Sequence, residues 1–101
     1  MEDTVLETEA DDFRSAQVCV RNELGLHARP AARLAQEAQK FASEILLESG
    51  DQSVDAKSIL DLLTLAAPQG CALTLRARGT DAGKAVDTLL NLFLNRFGEE
   101  K

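Results

Sequence analysis

The sequence predicts an α/β protein of the α+β kind, an open-faced two-layer sandwich. A four-stranded, mostly antiparallel sheet is expected, covered on one face by three helices. Three observations lead there. Short runs alternate apolar with polar residues, the mark of strands with one covered face. Between them lie segments whose apolar residues recur at three- and four-residue spacing. Gly or Pro stands at most junctions. The resulting order is β-α-β-β-α-β-α.

Ala16–Asn22 alternates, with Val18 and Val20 on one face, and reads as the first strand. Gly25 breaks it. Pro30 suits the first turn of a helix, where its missing N–H costs nothing. Ala31, Leu34, Ala35, Ala38 and Phe41 continue that helix as an apolar stripe. Ser43–Ser49 reads as the second strand, with Ile45 and Leu47 on one face. Gly50-Asp51 makes a turn, and Gln52–Asp55 a short third strand completing a hairpin. Ser58 with Asp61 resembles a capping box before Ile59, Leu60, Leu62, Leu63 and Leu65, so a short helix is expected to end before Pro68-Gln69-Gly70. Ala72–Arg78 alternates again, with Leu73, Leu75 and Ala77 inward. Gly79-Thr80-Asp81 reads as a turn and helix cap. The last helix carries Ala82, Ala85, Val86, Leu89, Leu90, Phe93 and Phe97.

A chain of 101 residues suggests one modest core. Hydrophobic residues make up 45%, with neither Trp nor Tyr, so the core must be aliphatic with Phe41, Phe93 and Phe97 as larger fillers. The net charge of −6 resides in residues 1–12, which hold six acidic and no basic residues. Residues 1–14 are therefore expected to form an acidic, disordered tail, and 15–101 the folded domain. A neutral domain with an acidic arm is not built for nucleic acid. No apolar run approaches the roughly 20 residues needed to insert in a membrane. The Met-Glu-Asp opening lacks the basic and apolar regions of a secretory signal, so a cytoplasmic protein is expected. Cys19 and Cys71 are too few for a disulfide scaffold, and strand parity turns Cys19 outward and Cys71 toward the core or its rim. One His without Cys-x-x-Cys spacing gives no metal site, and no cofactor is expected.

The chemistry concentrates in Gly25-Leu26-His27-Ala28-Arg29-Pro30-Ala31-Ala32, which contains the only histidine. Its imidazole has a near-neutral pKa as a residue type and stands where helix N–H groups point at an anion. Arg29, two residues on, offers a charged fork to phosphate oxygens. That set suits a phosphoryl group carried on imidazole nitrogen.

With Lys57-Ser58-Ile59 and a Leu-rich helix about thirty residues later, the His27 motif closely resembles the HPr family, the histidine-containing phosphocarriers of the bacterial phosphoenolpyruvate-dependent phosphotransferase system. The resemblance runs from Ala16 to Phe97. It implies a stoichiometric carrier rather than an enzyme, monomeric, taking phosphate on His27 from Enzyme I and giving it to Enzyme IIA components for sugar uptake. It further implies a phosphate-stabilising role for Arg29, phosphorylation of Ser58 by HPr kinase/phosphorylase, and docking through Leu26, Ile59, Leu60 and Leu63. Two departures stand out: the acidic arm, and Ala66-Ala67-Pro68 in place of the family's glycine-containing loop. The C-terminal Leu92-Phe93…Phe97-Gly98-Glu99-Glu100 resembles the nitrogen-branch paralogue NPr, which makes a regulatory carrier the first alternative. A His-dependent hydrolytic enzyme is a poorer fit, since the chain offers no second His and no carboxylate pair of recognisable spacing. A small-molecule-sensing α/β domain would leave the His27 motif unexplained.

Overall fold

In the computed structural model, which describes residues 13–101, the sheet is built around one strand. β4 (Ala72–Arg78) pairs with β1 (Phe13–Cys19) on one side and β2 (Glu44–Ser49) on the other; β3 (Gln52–Asp55) pairs with β2. The order is β1-β4-β2-β3 and every pairing is antiparallel. Alternation along each strand sends Val18, Ile45, Leu47, Val54, Leu73, Leu75 and Ala77 into the core. Over that face lie α1 (Ala28–Ala38), α2 (Ile59–Thr64) and α3 (Ala82–Leu94). α3 lies across β1 and β4, and α1 packs beside α2 and α3. Leu34, Ala35 and Ala38 of α1 and Ala85, Leu89 and Phe93 of α3 close the core. The expected two-layer sandwich is the observed one. Among the described residues no helix is long and apolar enough to cross a membrane.

Boundaries moved where pairing or side-chain contact outweighs periodicity. β1 starts at Phe13, so Phe13 and Arg14, expected in the acidic tail, belong to the sheet; the rest of that tail, 1–12, lies outside the described residues. The reason is on the open face. The Phe13 ring lies under the guanidinium groups of Arg76 and Arg78, 4.1 and 4.8 Å from its centroid. Those arginines pair in turn with Glu48 and Glu44, each at 3.1 Å. Cys19 is exposed, and Cys71 is partly buried against the core, as parity required. Phe97 does not lie on the last helix. α3 stops at Leu94, and Phe97 sits in the following 3-10 turn, Arg96–Gly98, edge-on to Phe93 at 4.8 Å between ring centres.

Asp81 stands at the cap position of α3, yet its side chain does not cap the helix. Its carboxylate instead accepts hydrogen bonds from the amides of Ala42 and Ser43, at 2.9 and 3.0 Å, and from the Ser43 hydroxyl. This ties the start of α3 to the loop between α1 and β2, and holds Ser43 buried just outside the strand it was expected to begin. The approach requires glycine at 79, where φ is +144° and a Cβ would lie 2.5 Å from Ser43 Oγ.

The Ser43 hydroxyl and then the Ala42 amide hold the Asp81 carboxyl below its ordinary value of 3.8, against a desolvation that acts upward. A carboxyl so lowered stabilises the fold above its unfolded pKa, and that contribution is lost as pH falls through the lowered value. Asp81→Asn is expected to lower the melting temperature at neutral pH and to reduce the drop in melting temperature on acidification. Identical pH dependence in the two proteins would count against this role. In the core, Leu75→Ala should cost about 2–5 kcal/mol, read by denaturant unfolding.

Candidate functional site

His27 is placed by what precedes it. After β1 the chain turns at Asn22–Gly25, closed by Gly25 N–H donating to Asn22 O at 2.9 Å. Gly25 has φ +75°, and a Cβ there would lie 2.5 Å from the carbonyl oxygen of Ala67. Glycine lets this loop meet the loop before β4, where Leu26 N–H donates to that same oxygen at 2.9 Å. The loop containing Ala66-Ala67-Pro68, one of the family departures, is thus a structural partner of the histidine segment. Leu26 is consequently only 3% exposed and belongs to the core. Its expected place on a docking surface is corrected: its backbone is tied to Ala67 and its side chain lies in the core.

His27 is the N-cap of α1, with extended backbone and its carbonyl accepting from Ala31 N–H at 2.9 Å. Its side chain makes no capping hydrogen bond. His27 thus sits at the start of α1, whose first-turn amides have no partner within the helix, at the positive end of an eleven-residue dipole. Pro30 is buried in that turn.

The unforeseen member of the site is Glu99. Its two carboxylate oxygens lie 3.3 and 3.2 Å from His27 Nε2. Oε2 is also 3.9 Å from Arg29 Nη1, a loose pair because the Arg29 side chain is 84% exposed. Oε1 accepts from Asn22 Nδ2 at 2.6 Å. The Asn22 hydrogen bond, foremost, then the hydrogen bond and charge of His27 and the charge of Arg29 hold the Glu99 carboxyl below its ordinary range, against desolvation. The structure thus brings His27, Arg29 and Glu99 together at the mouth of an open groove between α1 and the C-terminal segment, with Leu24 and Phe97 as apolar walls. Seventy-two residues separate Glu99 from His27. Only the C-terminal Glu-Glu pair in the sequence hinted at it.

Ser58 lies apart, at the N-cap of α2, where its Oγ accepts from Asp61 N–H at 3.2 Å. The reciprocal half of the expected capping box is missing, because the Asp61 carboxylate turns to the amide of Asp55 at 3.4 Å. α2 buries Leu62 and exposes Ile59, Leu60 and Leu63, Leu60 by 76%. Leu24, not singled out in the sequence, is 75% exposed and lines the groove at His27.

A family model described as the PTS HPr component phosphorylation site matches residues 14–95. The phosphocarrier protein HPr of Cupriavidus necator is 47% identical over 78 residues, 77% of this chain and 88% of that protein. The HPr-like protein Crh of Bacillus subtilis is 45% identical over 73 residues, 72% and 86%. Among solved structures, HPr-C-His from Thermoanaerobacter tengcongensis superposes with a TM-score of 0.84 at 40% identity, covering 87% of this chain and 99% of that one. An HPr dimer from the same organism superposes with a TM-score of 0.70 at 42% identity, covering 79% and 92%.

Loss of the α2 cap is measurable apart from any chemistry. Ser58→Ala should cost about 0.5–2 kcal/mol in denaturant unfolding. A neutral result would mean that α2 is held by Leu62 alone.

Proposed function

The chain belongs to the HPr family, and we propose that it carries a phosphoryl group on Nδ1 of His27. One observation bears most of the weight: both Glu99 oxygens sit on Nε2. A carboxylate there favours the tautomer with the proton on Nε2, which leaves a lone pair on Nδ1. The nucleophile is thus set up by a contact at the opposite nitrogen.

In this reading His27 Nδ1 attacks the phosphorus held by phosphorylated Enzyme I. A P–N bond to His27 forms, the bond to the donor breaks, and its electron pair leaves with the donor. The first-turn amides and the positive end of α1 receive the phosphoryl oxygens, and Arg29 adds charged donors. Arg29 is free to turn, being mostly exposed and only loosely paired. The reverse step delivers the group to an Enzyme IIA component. The protein ends as it began, so it serves as a stoichiometric carrier, and the site is open because the partner supplies its other half. In this reading the carrier works as a monomer in the cytosol, although an HPr dimer is among the similar solved structures. Exposed Leu24, Ile59, Leu60 and Leu63 supply apolar contact for docking, and Ser58, at their border, is the site for HPr kinase/phosphorylase.

A regulatory role in place of sugar uptake is the second reading. The NPr-like C-terminal stretch favours it, as does the 41% identity to Crh, described as the catabolite repression HPr of Bacillus subtilis. Sugar-specific permease genes in the same genome would favour uptake, and their absence regulation.

Incubation with Enzyme I and phosphoenolpyruvate should give an acid-labile, base-stable phosphate. His27→Ala should take none while melting near the parent temperature; labelling of that variant would exclude His27 as the carrier. Arg29→Ala should fold normally and slow transfer about tenfold, the worth of one charge-assisted contact. Ser58→Asp should hold or slightly raise stability, since a negative charge suits a helix start. It should weaken Enzyme I binding about ten- to hundredfold by calorimetry, because the charge borders an apolar docking surface. Unchanged affinity would leave Ser58 a cap and no switch.

A further inference from the structure

Asn22 is fully buried, and its Oδ1 has no hydrogen-bond partner among the described residues. A buried carbonyl left so is costly, and an aliphatic side chain would fill the same space without that cost. The reason for an amide must lie in its donors. Both reach the C-terminal segment: Nδ2 donates to Arg96 O at 2.8 Å and to Glu99 Oε1 at 2.6 Å. Turning the amide over would set Oδ1 against two acceptors, so the network fixes its orientation.

The segment it grips has an uncommon backbone. Arg96, Phe97 and Gly98 have φ of +57°, +54° and +85°. Three successive left-handed residues, two of them with side chains, form a hook that other contacts must hold in place. Phe97 is buried against Phe93. The hook turns the chain after α3 and delivers Glu99 to the imidazole.

We propose that Asn22 is a positioning residue which, through this hook, keeps Glu99 on His27 Nε2 and so keeps the Nε2 proton in place once Nδ1 is phosphorylated. This rests on the phosphocarrier reading and concerns how the same site is tuned. When the phosphoryl group departs, the acceptor atom bonds to phosphorus, the P–Nδ1 bond breaks, and its electron pair returns to Nδ1. With a proton on Nε2 the ring leaves as neutral imidazole. Without it the ring must leave as imidazolate, a far poorer leaving group. When water is the acceptor, its proton passes to solvent. A carboxylate accepting from Nε2–H favours the protonated ring. The other charged groups around the groove are Glu23 in the preceding loop, Arg29 and Arg33 on α1, and Glu100 and Lys101 beyond the hook. On α2, Asp61 is turned away toward Asp55. Among the described residues Glu99 alone hydrogen-bonds the ring.

The test phosphorylates the parent, Glu99→Gln, Asn22→Leu and the double variant with Enzyme I and phosphoenolpyruvate. Loss of the phosphate is then followed by phosphorus NMR across acid to alkaline pH, with thermal melts alongside. Asn22→Leu keeps the shape while removing both donors and the orphaned acceptor. In Glu99→Gln, hydrolysis should be roughly two- to fivefold slower near neutrality, the size of a part-exposed charge contact, and should converge with the parent in acid. Asn22→Leu should move the profile in the same direction, and the double variant no further than Glu99→Gln. An Asn22 that is only structural would change the melting temperature and leave the profile unmoved, which overturns the proposal. So does hydrolysis that is unchanged or faster in Glu99→Gln, the outcome that alone decides if Asn22→Leu does not fold. A parent that takes no phosphate overturns the phosphocarrier reading and this proposal with it, whereas a labelled parent with unmoved variants overturns only the proposal.

Discussion

The antiparallel pairing of β4 with both β1 and β2 governs where everything else can go. Its register sets Cys19 opposite Ala72, and the pairing runs on as Val20 N–H donates to Cys71 O at 3.0 Å. The loop after β1 and the loop before β4 therefore lie side by side, and Gly25 can meet Ala67. Lengths do the rest. β4 has seven residues and rises about 20–24 Å; α3 has thirteen and rises about 20 Å. A helix that leaves the far end of β4 and runs back over the sheet must end near where β4 began. That end is also the His27 end, so Arg21 Nη1 meets Leu94 O at 3.2 Å and Asn22 meets Arg96. The C-terminus reaches the histidine because one helix and one strand match in length.

What the sequence revealed and what it concealed divide along the same line. Strand faces, the opposite parities of Cys19 and Cys71, the stripe on α1 and the Ser58 cap are local, and each is written in spacing of a few residues. The contacts that were missed join distant residues. Phe13 looked like the end of an acidic tail because its arginine partners lie more than sixty positions on. Asp81 looked like a helix cap, and locally it stands as one, but Ala42 and Ser43 compete for its carboxylate and win with three donors between them. Leu26 stands alone between a glycine and the histidine, with no period from which to read a face; only the Ala67 contact shows that it points inward. Glu99 lay in plain view as one of two terminal glutamates, and nothing local separates it from Glu100.

The helix at Ser58 illustrates a limit that size sets. Six residues make fewer than two turns, and Leu62 is the residue that α2 buries. Ile59, Leu60 and Leu63 cannot all follow it inward on so short an element. Their exposure has the same origin as the high apolar content of the segment. An exposed apolar surface of this kind is suited to transient contact, offering area that a partner can cover briefly.

The hook after α3 is close to energetic balance, which explains why a buried amide matters there. Arg96 and Phe97 in the left-handed region cost about 1–2 kcal/mol each. Burial of Phe97 returns about 1.5–3 kcal/mol, and its edge-on contact with Phe93 about 0.5–1.5 kcal/mol more. These terms nearly cancel, so packing alone does not decide whether the segment hooks over His27 or extends away from it. The two donors of Asn22 do, because they reward only the hooked form. Holding Glu99 at the imidazole therefore falls to one side-chain amide rather than to packing.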